Sequence, residues 1–413
     1  MKFQALVILQ EQEFFQNDKM NTSKTDLLNL LKRSNTKFLP IINGFYPFSD
    51  KQLLKYKDKL YWSFISENKN IKWSTQLISQ YKDLLEWEDK LWKNPSLPIS
   101  IDFIESNNYT VNYYDLAKNK GTHWSDEFIF HFKDKWNWHY ILLNESINWT
   151  QELFIKLGLF NKRISILNGK KLWTEDFILQ NMERFDWFYL SQNPNLPWSD
   201  KFIEKLMSVW SSRFWNGITI NRGVPWTIEL IEKFIETDLK PDLALKWSGL
   251  SLNESLPWNE EFVEKYENNW DWRVMSGNNK VGFSSMQIEK YKDKLLWKRN
   301  HPNFGALSDN TSLPWSEELI DAYLEKWDWD DLLRNEGIQW NEKLIHKYKD
   351  KLNVNELFLS PSLPWTLEFL TKYENNILNT WKMDSHTEKW RQVIWDKIFS
   401  NVLDDEMLET LLN

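Results

Sequence analysis

The sequence contains no cysteine, which excludes a disulfide framework and any thiolate metal site. That absence fits a reducing compartment, and a cytoplasmic location is the expectation. Nor is there a dense run of Lys and Arg: 51 basic residues stand against 59 acidic ones, for a formal net charge of −8. A nonspecific polyanion binder shows a basic face, so the charge pattern argues against nucleic acid as a partner. No run of about 18 apolar residues is present to span a membrane. The opening MKFQALVILQEQEFF has only a short apolar core, Ala5 to Leu9, with no small-residue cleavage site after it, and reads poorly as a signal peptide. A Gly-rich phosphate loop, HExxH and GxSxG are missing as well, and paired carboxylates are too abundant to single out a site. The expectation is a non-enzymatic protein that needs no cofactor.

What the chain has instead is a repeat. Aromatic residues make up 16% of it, with 27 tryptophans, and many of these recur about every 25 residues. The stretch LPWSEELIDAYLEKWDWDDLLRN, Leu313 to Asn335, is the clearest copy. With its Trp315 as position zero, the anchors are Phe48, Trp73, Ile99, Trp124, Trp149, Trp173, Trp198, Trp226, Trp258, Phe283, Trp315, Trp340 and Trp365. Self-similarity at such a period marks a solenoid or a related array.

Each anchor is followed by Ser, Thr or Asn, from Ser49 to Thr366, and these side chains cap helix N-termini. Position five is always apolar, from Leu53 to Leu370, so anchor and position five form a hydrophobic staple across the start of a helix. Positions four, five, eight and twelve then share one face of a first helix of about three turns. Asp or Asn at position thirteen (Asn112, Asn137, Asp186, Asp271, Asp328, Asn353) caps a short second helix. Trp follows at fourteen in seven copies: Trp62, Trp87, Trp138, Trp187, Trp272, Trp297 and Trp329. Asn at position twenty, as in Asn68, Asn119, Asn144, Asn193, Asn278 and Asn335, is expected to end that helix in a left-handed turn. Prolines such as Pro47, Pro197 and Pro314 hold an extended link to the next unit.

The expected fold is therefore all-α: an elongated α-solenoid of about 13 short helix–short helix units, running as one body. Residues 1–44 form an N-terminal cap, 45–380 the tandem array and 381–413 a helical C-terminal cap. Each cap is expected to depart from the pattern because it covers one exposed face of the stack. Residues are added around Asn216 to Gly223, Thr237 to Asp242 and His301 to Ser312, and insertions in such arrays emerge as loops that often carry binding.

Position fifteen varies most while its neighbours stay fixed, including Tyr114, His139, Phe188, Arg213, Arg273, Lys298 and Asp330. It is placed on the surface at the start of the second helix, where it serves either as a ligand-reading column or as plain solvated surface. His139, Arg213, Arg273, Lys298 and Asp330, with Arg222 and His301 in the inserted loops, are the candidate binding residues. Acidic residues at position three, such as Glu229 and Glu318, are better explained by the helix dipole than by a cation site. His123, His131 and His139 straddle a cap and two helices, unlike the i, i+4 spacing of paired metal ligands, so no metal site is assigned. Of the tryptophans, Trp215, Trp247 and Trp381 break register and are candidates for stacking on a glycan.

The LPW(S/T)xE(L/F)I…Y…WDW pattern over about residues 45 to 380 resembles the tandem tryptophan-rich repeats of uncharacterised bacterial proteins. That resemblance implies a short-repeat α-solenoid and carries no activity or site residue with it. The functional expectation is a scaffold that binds a protein or peptide through the variable column and the inserted loops. A glycan-binding module and a self-assembling structural protein are the alternatives. An enzyme with a histidine or carboxylate site, near His123 to His139 or the His301 loop, is the remaining one.

Overall fold

The computed structural model describes residues 23–34, 37–88, 90–107, 111–162, 167, 172–207, 217–236, 247–300, 305–353, 357–358, 360, 362–380 and 388–413. Among these residues every regular element is helical and there is no strand. The candidate residues Arg213 and His301, and Trp215 and Trp381, lie outside the described residues. So does the opening segment.

The protein is an all-α array of short-helix units, and each unit starts as its cap residue dictates. Every one of the thirteen cap side chains accepts a hydrogen bond from the backbone N–H three residues on, as Ser125 Oγ does from Phe128 at 3.1 Å and Thr366 Oγ1 from Phe369 at 3.1 Å. At position five all thirteen side chains are buried, eight of them with no exposure at all. Burying one such residue is worth roughly 1.5–3 kcal/mol, so this column alone outweighs the caps. The links are tighter than extended chain. In Leu196–Pro197–Trp198 the N–H of Trp198 reaches back to the carbonyl of Leu196 at 2.8 Å, and the same three-residue turn precedes Phe48, Trp226, Trp258, Trp315 and Trp365. Proline's fixed φ suits the centre of such a turn.

The second helices begin at the predicted tryptophans in Trp62–Glu67, Trp138–Leu143, Trp187–Leu190, Trp272–Met275 and Trp329–Arg334. Asn137, Asp186, Asp271 and Asp328 cap four of them. Trp87 and Trp297 start no helix. In their units the second helix is reduced to a 3₁₀ turn further along, at Leu91–Lys93 and Leu307–Asp309. Trp62, Trp272 and Trp297 share a packing role whether or not a helix starts there, each lying against the position-eight tyrosine of the following unit. Ring centroids are 4.7 Å apart for Trp62–Tyr81, 4.2 Å for Trp272–Tyr291 and 4.7 Å for Trp297–Tyr323. Trp247 makes the same contact with Tyr266 at 5.2 Å, so it is a position-fourteen residue displaced in number by the preceding insertion. It is not off register.

The asparagines at position twenty do not end helices in a left-handed turn. Asn68 has φ −71° and ψ 106°, Asn144 φ −74° and ψ 105°, and Asn335 φ −72° and ψ 111°, all extended, and all three are buried. Their side chains build a ladder between units. Asn278 Nδ2 donates to the carbonyls of Ser251 and Asn253, at 3.0 and 3.4 Å, while its Oδ1 accepts from the N–H of Lys280 at 3.0 Å. Asn221, Asn253, Asn310 and Asn335 repeat the pattern, each on the carbonyl of the preceding ladder asparagine. That carbonyl also accepts the indole N–H of the next anchor, from Trp226, Trp258 and Trp315 among others. A buried carbonyl must find a donor, and here the donor comes from one unit further on.

The chain divides into two compact units, residues 1–112 with 340–413, and residues 113–339. The first and last segments of the sequence thus belong to one unit, and within it the two caps cover one another. Phe45 stacks on Trp395 at 6.0 Å and Phe38 meets Phe399 edge-on at 6.0 Å. Arg391, buried, donates to Glu67 at 2.9 Å and lies 4.7 Å from the Phe64 ring centre. Lys90 reaches the other oxygen of Glu67 at 2.8 Å. The two caps were expected at separate exposed faces; each instead supplies the surface that the other needs.

Candidate functional site

Within residues 113–339, consecutive second helices lie side by side, and their starts carry position fifteen. Tyr114 is 45% exposed and Phe188 38%, while His139, Arg273 and Lys298 are exposed and Asp330 is half-buried. Arg222, on the first insertion, pairs with Glu254 at 2.9 Å, an exposed contact that ties the loop to the next unit.

The candidates do not converge on one point. Among the described candidates, Arg273 lines a cleft of about 440 Å³, formed by four successive second segments. Thr219 and Ile220, Gly249 and Leu252, Arg273 and Val274, and Leu296 and Asn300 line it in chain order. Glycine at 249 makes the cleft possible, because a Cβ there would collide with the Thr219 hydroxyl. Ile220 and Leu252 remain 38% and 39% exposed. Lys298 is two residues from Asn300 and exposed.

The polar groups around the cleft differ in how far they are committed. Asp271 is bound by the N–H of Val274 as its cap. Arg299 donates to both oxygens of Asp309 and lies 3.8 Å from Asp331, and these carboxylates, Asp309 first, raise its pKa further. Burial pushes Asp331 above the usual carboxylate range, with the charge of Asp309 adding to it, while Arg334 at 3.1 Å opposes the shift. By contrast Thr219 Oγ1 is buried and has no hydrogen-bond partner among the described residues. A buried hydroxyl without a partner costs about 1–3 kcal/mol, and this one, packed against Gly249, has no surface open to the cleft. The cleft therefore offers apolar surface and one guanidinium.

A second cluster surrounds His139. Tyr114 and Tyr140 share a hydrogen bond of 2.9 Å between their hydroxyls, Lys118 Nζ lies 3.5 Å from the centre of the Tyr114 ring, and His139 meets Tyr140 edge-on at 5.0 Å. The bond from Tyr140, and after it Lys118, lowers the Tyr114 pKa, while the same bond, followed by burial, raises that of Tyr140. His123, His131 and His139 are all exposed, and among the described residues no group of three or more His, Asp or Glu is placed to hold a metal ion. At position three, Glu229 and Glu318 are held below the usual carboxylate range by their own backbone N–H and then by the cap hydroxyls of Thr227 and Ser316. This is the first-turn stabilisation that the sequence implied.

Thr219, Ile220 and Leu252 were not among the sequence candidates. Ile220 and Leu252 each directly precede a ladder asparagine, Asn221 and Asn253, at a position that is polar in most other units, so two successive apolar residues there were the available signal. No helix among the described residues is long and apolar enough to cross a membrane. No family model, curated protein or solved structure matches the chain.

Proposed function

We propose that the chain is a non-enzymatic scaffold of the cytoplasm that binds a protein or peptide through the face carrying position fifteen, with the cleft at Arg273 as its anchor point. The observation that carries this reading is the cleft itself. Along the ladder the asparagine amides are taken up by carbonyls of neighbouring units, whereas at the cleft Ile220 and Leu252 stay exposed beside the Arg273 guanidinium. A peptide with an apolar side chain next to a carboxylate complements this surface: the side chain covers Leu252, and the carboxylate meets Arg273 in a charge-assisted hydrogen bond. The glycan reading loses support at Trp247, whose ring is spent on Tyr266 and Trp270.

Selection of a random peptide library on the whole chain tests the proposal, run in parallel on an Arg273→Glu/Leu252→Asp variant of unchanged helicity. The expected result is enrichment of short peptides pairing Asp or Glu with a large apolar residue, lost on the variant. Enrichment of nothing, or of the same peptides by both proteins, contradicts it.

A further inference from the structure

The last helix of the chain, Asp405–Leu412, follows the grammar of a first helix although no proline or tryptophan announces it. Leu403 stands at the anchor position and is buried, Asp404 caps the helix by accepting from Met407 at 2.9 Å, and Leu408 at position five has no exposure. Position six is then Glu409, which bonds to Lys55. Lys55 is at position seven of the unit anchored at Phe48. A position-seven lysine bonded to the position-six glutamate of the preceding unit is how successive first helices are joined elsewhere: Lys233 to Glu204, Lys265 to Glu232 and Lys290 to Glu264. The last helix therefore sits where a unit preceding Phe48 would put its first helix.

The second helix of that same preceding unit comes from the other end of the chain. In regular units a serine two residues before the ladder position accepts the N–H at position thirteen of the next unit: Ser66 from Glu86, Ser251 from Asp271, Ser276 from Leu296, and Ser308 from Asp328. In the helix Leu39–Phe45 the side chain of Asn43 does this for Tyr61, at 2.6 Å. One composite unit is thus assembled from residues 39–45 and residues 405–412, with no covalent link between its halves.

We propose that this composite unit is exchangeable: the seat beside Lys55 accepts the last helix of a second copy of the chain as well as its own, giving a reciprocally exchanged dimer. Every contact named is equally available between two chains, which is the condition for domain swapping. Besides the buried Leu403, Met407, Leu408 and Leu412, the seat is held by polar contacts, Lys24 to Asp404, Tyr46 and Gln52 to Asp405, and Lys59 to the carbonyls of Leu412 and Asn413. Its apolar packing is incomplete, since a cleft of about 200 Å³ remains between Leu411 and the side chains of Leu31, Phe38 and Ile42.

The absence of cysteine permits a direct test on the whole chain. Lys55→Cys and Glu409→Cys variants, each carrying one thiol, are mixed, unfolded together, refolded over a range of concentrations and treated with a short bifunctional maleimide. The double variant is treated in the same way. Both side chains are about half exposed, so the core is untouched. A second pair at Lys24 and Asp404 guards against a local effect of either substitution. The expected result is a cross-linked heterodimer in the mixture, and in the double variant a ratio of interchain to intrachain product that rises in proportion to chain concentration. Intrachain product alone at every concentration, with no heterodimer in the mixture, overturns the exchange. Failure of the double variants of both pairs to link at all overturns the composite unit itself.

Discussion

The residue on which the repeat depends most is the buried asparagine. A tryptophan at an anchor is replaceable in principle by another large apolar side chain, as Phe48, Ile99 and Phe283 show. The amide of Asn278 does what Ser360 and Leu167, which stand at the same place in other units, cannot: it supplies two donors to carbonyls one unit back and an acceptor to its own turn. Replacing it by Ala takes the side-chain donor from the Ser251 carbonyl, while the Asn253 carbonyl keeps the Trp258 indole, so the loss should be about 1–3 kcal/mol. Removing a cap, as in Ser316→Ala, should cost about 1 kcal/mol. Denaturant unfolding of the two variants checks the order, and a smaller loss for Asn278→Ala would remove the ladder from its central place. At the same scale, Tyr114 should be among the first tyrosines to ionise, because its anion is stabilised by Tyr140 and Lys118. A Tyr114→Phe variant should lose the earliest phase of an alkaline absorbance titration. Tyr323, pushed up to about 12 by burial and by its bond to Glu289 at 2.6 Å, belongs to the last.

Among the elements, the first helices were legible in the sequence and the ends of the second helices were not. Cap, staple and position five are local relations within about five residues, so residue types alone identify them. The role of Asn68 or Asn335 is fixed by a neighbour about 25 residues earlier, and a side chain read on its own at a helix end suggests the left-handed turn instead. Trp247 was misjudged because residues inserted before it shifted its number without shifting its place. The last helix was recognised as a helix but not as part of a unit, since Leu403 lacks the aromatic signature of an anchor. Of the candidate site, the placement of position fifteen on the surface was legible. The cleft was not, because it needs four units and the small volume of Gly249.

The last helix also carries the clearest pH dependence. Lys24, followed by the N–H of Met407, holds Asp404 below the usual carboxylate range. Its folded pKa is below its unfolded one, so its stabilisation is fully present above the unfolded value of about 3.9 and is lost as pH falls through the folded value. Acidification should therefore loosen residues 405–412 before the helices of residues 126–143. A Lys24→Met variant should show a smaller difference between the two regions. Exchange-rate profiles at pH 5 and pH 3 separate these outcomes.

For the molecule as a whole, what distinguishes its two compact units is how each is completed. Residues 113–339 are held by contacts between neighbours in sequence, unit to unit. Residues 1–112 and 340–413 depend also on contacts between segments more than 300 residues apart, such as Arg391 with Glu67. Breaking that pair by Glu67→Ala leaves a buried guanidinium without its carboxylate. Since Glu67 is itself partly exposed, the loss should fall somewhat below the usual buried-pair range, at about 2–3 kcal/mol. Thermal unfolding of the variant should show the loss in the first unit's transition. Contacts of such sequence separation also slow folding, so the first unit is expected to form after the second in refolding followed by hydrogen-exchange labelling.

The measurement that tests the composite unit most directly is amide exchange of the Leu408→Asp variant against the parent chain. Placing a charge at that fully buried position should unseat the last helix. The account predicts faster exchange in residues 39–67 as well as in 405–412, with residues 258–335 unchanged. Exchange that accelerates only within 405–412, leaving 39–67 as protected as before, would contradict it.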